Sequence, residues 1–392
     1  MLYRQFQDLS ISRLGLGAMR LPLMEDGKTI DEAATAQMIA TAMEQGINYY
    51  DTAYPYHGGM SEIVLGKLLK QYPRESYYLA DKYPGHQIAE TYDPAAVFED
   101  QLEKCGVEYF DFYLLHNVCE NSIGVYTDPQ WGILEYFKEQ KRLGRIRHLG
   151  FSSHGRPDNL KAFLDYADGA MEFCQIQLNY LDWTLQDAGE KCAILDEYHV
   201  PVWVMEPVRG GRLANLPAEA QEKLRSYRPE VSDASWCFRW LQGLDDVVVT
   251  LSGMSDLAQL RDNLRTYAAE EPLSAEETDA LMAIADGYLK NSVPCTGCRY
   301  CCDGCPMGLP IPRLISSYND VLFTPKAFTV GMYLDSLPAE KQPSACIACG
   351  ACVKACPQKI DIPDVLRKFT ARIPELPSWR KICEERAAAA KK

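Results

Sequence analysis

Between Ile11 and about Ala268 the sequence alternates eight times between a short apolar, β-branched or aromatic run and a longer amphipathic stretch. The runs at 11–18, 47–52, 77–82, 110–116, 146–152, 172–179, 201–207 and 247–252 read as strands. The stretches at 31–45, 60–71, 94–105, 131–143, 158–167, 185–198, 232–243 and 256–268 read as helices. Eight such units fit the size and rhythm of a (β/α)8 barrel, an α/β TIM barrel. An open doubly wound sheet shows the same alternation. Asp31 is placed to cap the first helix and Gly46 to end it, while Gly106 and Gly144 close two others. Ser274-Ala-Glu-Glu277 opens a further amphipathic stretch with a capping-box pattern.

Composition changes after this stretch. From Asn291 onward there are 14 Lys and Arg against 9 Asp and Glu, a formal +5. The preceding part holds 40 − 14 = 26 basic and 54 − 9 = 45 acidic residues, a formal −19. The sequence therefore predicts two domains, 1–290 and 291–392. The overall charge of −14 argues against a nucleic-acid partner, since phosphate binding needs a cationic surface. No targeting segment and no apolar run of about 18 residues is present, so neither a membrane span nor export is expected, and the chain is placed in the cytoplasm.

The 291–392 segment contains two matching cysteine runs. Cys295-Thr-Gly-Cys298-Arg-Tyr-Cys301-Cys302-Asp-Gly-Cys305-Pro306 and Cys346-Ile-Ala-Cys349-Gly-Ala-Cys352-Val-Lys-Ala-Cys356-Pro357 both contain C-x2-C-x2-C-x3-C-P. Three thiolates two residues apart wrap a tight loop around three irons of one cubane, and the fourth, ahead of a proline, lies too far round to join them. Zinc also accepts thiolates, but structural zinc usually takes two ligand pairs. Cys302 adjoins Cys301, so the first run can also be read as ending through Cys302 and Cys305. The runs resemble two-cluster bacterial ferredoxins. That resemblance implies two 4Fe–4S clusters in a small, α-helical and loop-rich ferredoxin-like domain. One cluster would be held by Cys295, Cys298, Cys301 and Cys356, the other by Cys346, Cys349, Cys352 and Cys305. Lys and Arg in the segment would offset the anionic cubanes.

Polar residues stand where a barrel puts its chemistry, at the C-terminal ends of strands. Asp51-Thr-Ala-Tyr-Pro-Tyr56 closes the second strand, Lys82 ends the third and His116 the fourth. Together with Leu14-Gly-Leu-Gly-Ala-Met-Arg-Leu-Pro22, Ser61-Glu62, Gly150-Phe-Ser-Ser153 and Asp262-Asn263, these resemble the aldo-keto reductases over residues 1 to about 290. The resemblance implies an oxidoreductase using NADP or NAD to reduce a small-molecule carbonyl, an aldehyde or ketone. Tyr56 would be the proton donor, with Lys82 and Asp51 lowering its pKa, and His116 would orient the substrate. Ser152, Ser153 and Gln175 would contact the nicotinamide, with Met205 packing where relatives often stack an aromatic ring. Gly253, Gln259 and Asn263 would serve the adenosine end. Gly253 and Gln259 stand where relatives preferring NADP often carry Lys and Arg, and Arg261 and Arg265 are nearby. No flavin motif is visible to join two-electron hydride transfer to one-electron clusters. The clusters are therefore read as serving electron transfer, with room for a redox partner protein, or redox sensing. The alternative is an iron–sulfur electron-transfer protein whose barrel is a docking scaffold.

Overall fold

The computed structural model describes residues 1–295, 299–356 and 358–390. The chain divides into two compact units, one spanning Met1–Leu281 and the other beginning at Met282. The division falls within the helix Ala275–Leu289.

In the first unit β1 (Tyr3–Phe6) and β2 (Leu9–Ser12) form an antiparallel hairpin. Eight strands then close a parallel barrel in chain order: β3 (Leu14–Gly17), β4 (Tyr49–Asp51), β5 (Tyr78–Tyr83), β6 (Phe110–Leu115), β7 (Ile146–Ser153), β8 (Cys174–Gln177), β9 (Val202–Met205) and β10 (Val247–Ser252). β10 pairs with both β9 and β3, which makes the sheet a closed (β/α)8 barrel rather than an open one.

The strand expected at 11–18 is divided between hairpin and barrel. The junction is polar: the Ser12 hydroxyl donates to the Leu14 carbonyl (2.8 Å), and the Ser12 N–H donates to Asn48 Oδ1 (2.8 Å). These side-chain bonds take up groups that a continuous ladder would use. The expected punctuation is in place. Asp31 accepts from the Ala34 N–H at 2.9 Å, and Ser274 and Glu277 exchange bonds of 2.8 and 3.2 Å.

Aromatic rings fill the barrel toward the N-terminal ends of its strands. Phe112 lies 5.1 Å from Tyr49 and 5.3 Å from Phe173 between ring centroids, and Phe6 reaches in from the hairpin to 5.0 Å from Trp203. Burying each such side chain contributes roughly 1.5–3 kcal/mol. The hydrophobic layer leaves the opposite rim to polar side chains.

The second unit is helical. Its longer helices are Ile311–Phe323, Phe328–Ser336, Ile362–Arg372 and Trp379–Ala390. Leu314, Ile315, Val321, Ile362, Leu366 and Phe369 form its core, against which cysteines of both runs pack. Among the described residues, no helix is long and apolar enough to cross a membrane.

Candidate active site

Asp51 is the last residue of β4, and Lys82 is the fifth of the six residues of β5. Both point into the barrel. Lys82 Nζ donates to Asp51 Oδ1 at 2.5 Å and to the Thr52 carbonyl at 2.6 Å, and neither residue is more than 2% exposed. The chain leaves β4 through a tight 3-10 turn, Tyr56–Gly59, which brings the half-buried Tyr56 back over this pair. Lys82 Nζ lies 5.0 Å from the centroid of the Tyr56 ring. His116 follows β6, and its ring meets that of Tyr56 edge-on at 5.9 Å. The four residues expected to act together therefore converge on one rim.

The strand carrying Lys82 is also held from outside the barrel. Gln101, on the helix Pro94–Cys105, donates to the Lys82 carbonyl (3.1 Å) and to Glu62 Oε1 (3.0 Å). The Tyr113 hydroxyl donates in turn to Gln101 Oε1. Asp81 faces this outer network because successive strand side chains alternate sides.

Burial pulls the Lys82 ammonium down, but Asp51 and Tyr56 more than restore it, so Lys82 stays charged. Burial also pushes the Tyr56 phenol above its ordinary value; Lys82 opposes this, while the Asp51 charge adds to it. This corrects the expected pKa lowering. Only Lys82 acts in that direction, and desolvation outweighs it. Asp51 contributes by fixing the ammonium, not by acidifying the phenol.

Some rim residues were not expected. His86, buried in the loop after β5, packs against His116 with centroids 4.3 Å apart and the rings tilted by 57°. Gly85 beside it leaves room for Tyr126, since a Cβ there would stand 2.7 Å from that ring. The Tyr126 hydroxyl donates to the His116 carbonyl at 2.7 Å. Arg20 passes over Gly253 and pairs with Glu206 at 3.4 Å. A histidine shortly after a strand-end lysine was a usable sequence signal; the Arg20–Glu206 pair, distant in sequence, gave none.

The residues expected to hold a dinucleotide line the C-terminal edges of β7 to β10. Ser152 and Gln175 are register partners across β7 and β8, and Gln177 pairs with Met205 across β8 and β9. The Ser152 hydroxyl accepts from the Asn117 N–H (2.8 Å), and the Ser153 hydroxyl donates to the Val118 carbonyl (2.7 Å). Both serines thus also pin the loop after β6. Gln175 Oε1 is buried without a hydrogen-bond partner. An acceptor in that condition suits a carboxamide N–H, so the residues fit a nicotinamide. Asn263 donates to the Ser252 hydroxyl at 3.0 Å. Gln259 is exposed and bonds Asp256, the cap of helix Leu257–Thr266, at 2.8 Å. Arg265 is paired with Asp262 at 2.8 Å.

In the second unit the cysteines gather around two cavities. Cys305, Cys346, Cys349 and Cys352 line one, with Pro306, Met307 and other apolar residues. Cys295, Cys301 and Cys356 line the other, together with Arg299. Cys298 lies outside the described residues. Cys301 lines its cavity and Cys302 does not. Each cavity draws thiols from both sequence runs, in the grouping expected for two cubanes. On a cubane each thiolate sits on its own iron. Thiols drawn from both runs and lining each cavity are a donor set that fits iron–sulfur clusters.

Residues 13–286 match the sequence profile of the aldo/keto reductase family. The chain belongs to that family. Its barrel resembles the structure titled aldo-keto reductase AKR11C1 from Bacillus halodurans (holo form), with 28% identity, a TM-score of 0.60, and coverage of 72% of this chain and 96% of that one. An uncharacterized oxidoreductase, YqkF of Bacillus subtilis, is 26% identical over 70% of this chain and 93% of its own. The NADH-specific methylglyoxal reductase of Escherichia coli is 23% identical over 66% of this chain and 90% of its own. Residues 294–360 match a 4Fe-4S dicluster domain. This aldo-keto reductase is thus an oxidoreductase of a nicotinamide-using family that acts on small carbonyl compounds, with a 4Fe-4S domain after the barrel.

Proposed function

We propose that this aldo-keto reductase is an NADH-dependent reductase of an aldehyde or ketone, with Tyr56 as proton donor, and that its tail holds two 4Fe–4S clusters. In this reading the enzyme domain is 1–290 and the cluster domain 291–392, and the protein works in the cytoplasm. The observation that carries the proposal is the buried Lys82 ammonium, 2.5 Å from Asp51 and 5.0 Å from the Tyr56 ring.

A bound nicotinamide supplies the hydride. Gln175, Ser152 and Ser153 would hold its carboxamide, and Met205 would pack beside it. His116 holds the substrate oxygen toward Tyr56. As that oxygen becomes an alkoxide it turns far more basic than a phenolate, so the Tyr56 proton moves to it even from a raised pKa. Lys82 then stabilises the phenolate left behind. Asp51 and the Thr52 carbonyl keep the ammonium in place. Asn263, Gly253 and Gln259 serve the adenosine end. Asp256 beside Gln259 adds negative charge where NADP would bring a further phosphate, and this supports NADH over NADPH.

The clusters supply one-electron transfer. Cys295, Cys298, Cys301 and Cys356 would hold one, and Cys305, Cys346, Cys349 and Cys352 the other. They serve electron transfer with a redox partner protein or redox sensing. A nicotinamide fluorescence titration of anaerobically purified protein, followed by turnover with methylglyoxal as probe, tests the reading. NADH should bind more tightly than NADPH and be consumed. Failure to bind either dinucleotide would leave the barrel as a docking scaffold.

A further inference from the structure

Cys305 belongs to the first cysteine run, yet it lines a cavity with Cys346, Cys349 and Cys352 of the second. Something must hold its loop against the distant segment. The turn after Cys305 is closed by a bond from the Gly308 N–H to the Cys305 carbonyl (2.9 Å), with Gly308 at φ 56°. Lys341, just ahead of the second run, donates from Nζ to the carbonyls of Met307 (2.8 Å) and Gly308 (3.0 Å). The positive φ of Gly308 favours glycine, and a Cβ there would stand 2.8 Å from that nitrogen. Met307 itself lines the cavity. The other cavity is lined by a different cation, Arg299.

We propose that Lys341 is the positioning residue of the cluster held by Cys305, Cys346, Cys349 and Cys352, clamping the Cys305 turn and bringing a positive charge to it. The proposal rests on the cluster reading above. Lys341 has two separable effects. The two hydrogen bonds fix where the cross-run thiolate stands. The charge favours the reduced cluster, because reduction adds negative charge to an already anionic group. Neither effect reaches the Arg299-lined site in the same way.

The test uses full-length, anaerobically purified protein with Lys341→Met and Lys341→Arg. Iron and acid-labile sulfide are counted, and each cluster is followed by electron paramagnetic resonance during a redox titration. Lys341→Met should either lose about half of the roughly eight irons or lower one midpoint, cutting that cluster's reduced-to-oxidised ratio at fixed potential about tenfold. The second cluster and NADH binding should be unchanged. Lys341→Arg, which keeps charge and donors, should restore the wild-type ratio to within about threefold. Unchanged iron and midpoints in Lys341→Met would overturn the proposal, as would equal loss at both clusters. A wild-type protein without iron would instead overturn the cluster reading on which it rests.

Discussion

Lys82 and Asp51 form a buried ion pair of 2.5 Å at the barrel rim, closed off by the Thr52 carbonyl at 2.6 Å. Removing one partner of such a pair leaves the other charged and unpaired in the protein interior. Asp51→Asn should cost about 3–5 kcal/mol of stability, measured by urea unfolding of the holoprotein. The double variant Asp51→Leu with Lys82→Met should regain much of that stability while remaining inactive. Equal activity in the double variant would remove the pair from the chemistry.

The raised Tyr56 pKa predicts a pH profile. The phenol must carry its proton to donate it, so reduction should stay level through neutral pH. It should fall only above the ordinary phenol value of about 10. Saturating dinucleotide isolates this ionisation in kcat. A decline centred between pH 6 and 8 would point to a different donor.

Glu172 gives a separate prediction for stability. Burial pushes its carboxyl up, but hydrogen bonds from His148, Lys141, Gln7 and the Leu149 N–H outweigh this and hold it at about 2. A carboxyl depressed on folding contributes stability above its unfolded pKa, and the contribution fades as pH falls toward the folded value. Glu172→Gln should therefore lower stability by about 2 kcal/mol at neutral pH, allowing for solvent screening. The two proteins should converge near pH 2. A pH-independent difference would show that the charge is not the cause.

Phe112 touches Phe6, Tyr49, Phe173 and Trp203 at the closed end of the barrel. Phe112→Ala should cost about 3–5 kcal/mol by opening a cavity there. Thermal unfolding measures this, and dinucleotide affinity well below the melting range should change less than twofold.

Much of the architecture was legible because it follows from periodicity and punctuation. Eight alternating units fit the barrel, with closure decided by the β10–β3 pairing, and Asp31, Gly106 and the Ser274–Glu277 box marked helix ends. The first strand was misjudged because Ser12 bonds the nearby Leu14 carbonyl and the sequence-distant Asn48, polar contacts for which hydrophobicity carries no sign. In the tail the helical character was expected, but helix bounds were not, because Cys, Pro and Gly interrupt the periodicity that Leu314, Ile315, Tyr318 and Val321 carry on Ile311–Phe323. At the site, strand-end position gave Asp51, Lys82 and His116, and the turn after β4 gave Tyr56. The net direction of the phenol's shift was not readable, since it turns on a desolvation that only burial reveals; the Asp51 charge raises the phenol by simple like-charge repulsion. His86 was missed although it follows the strand-end Lys82 closely; its tilted contact is with a residue of another loop.

The central claim is that the Tyr56 hydroxyl delivers the proton. Tyr56→Phe keeps the ring and removes only that group, so single-turnover NADH oxidation with methylglyoxal is the most direct test. The rate should fall by about 10²–10⁴, with NADH affinity and iron content unchanged. A variant that turns over within twofold of the wild type would contradict the account.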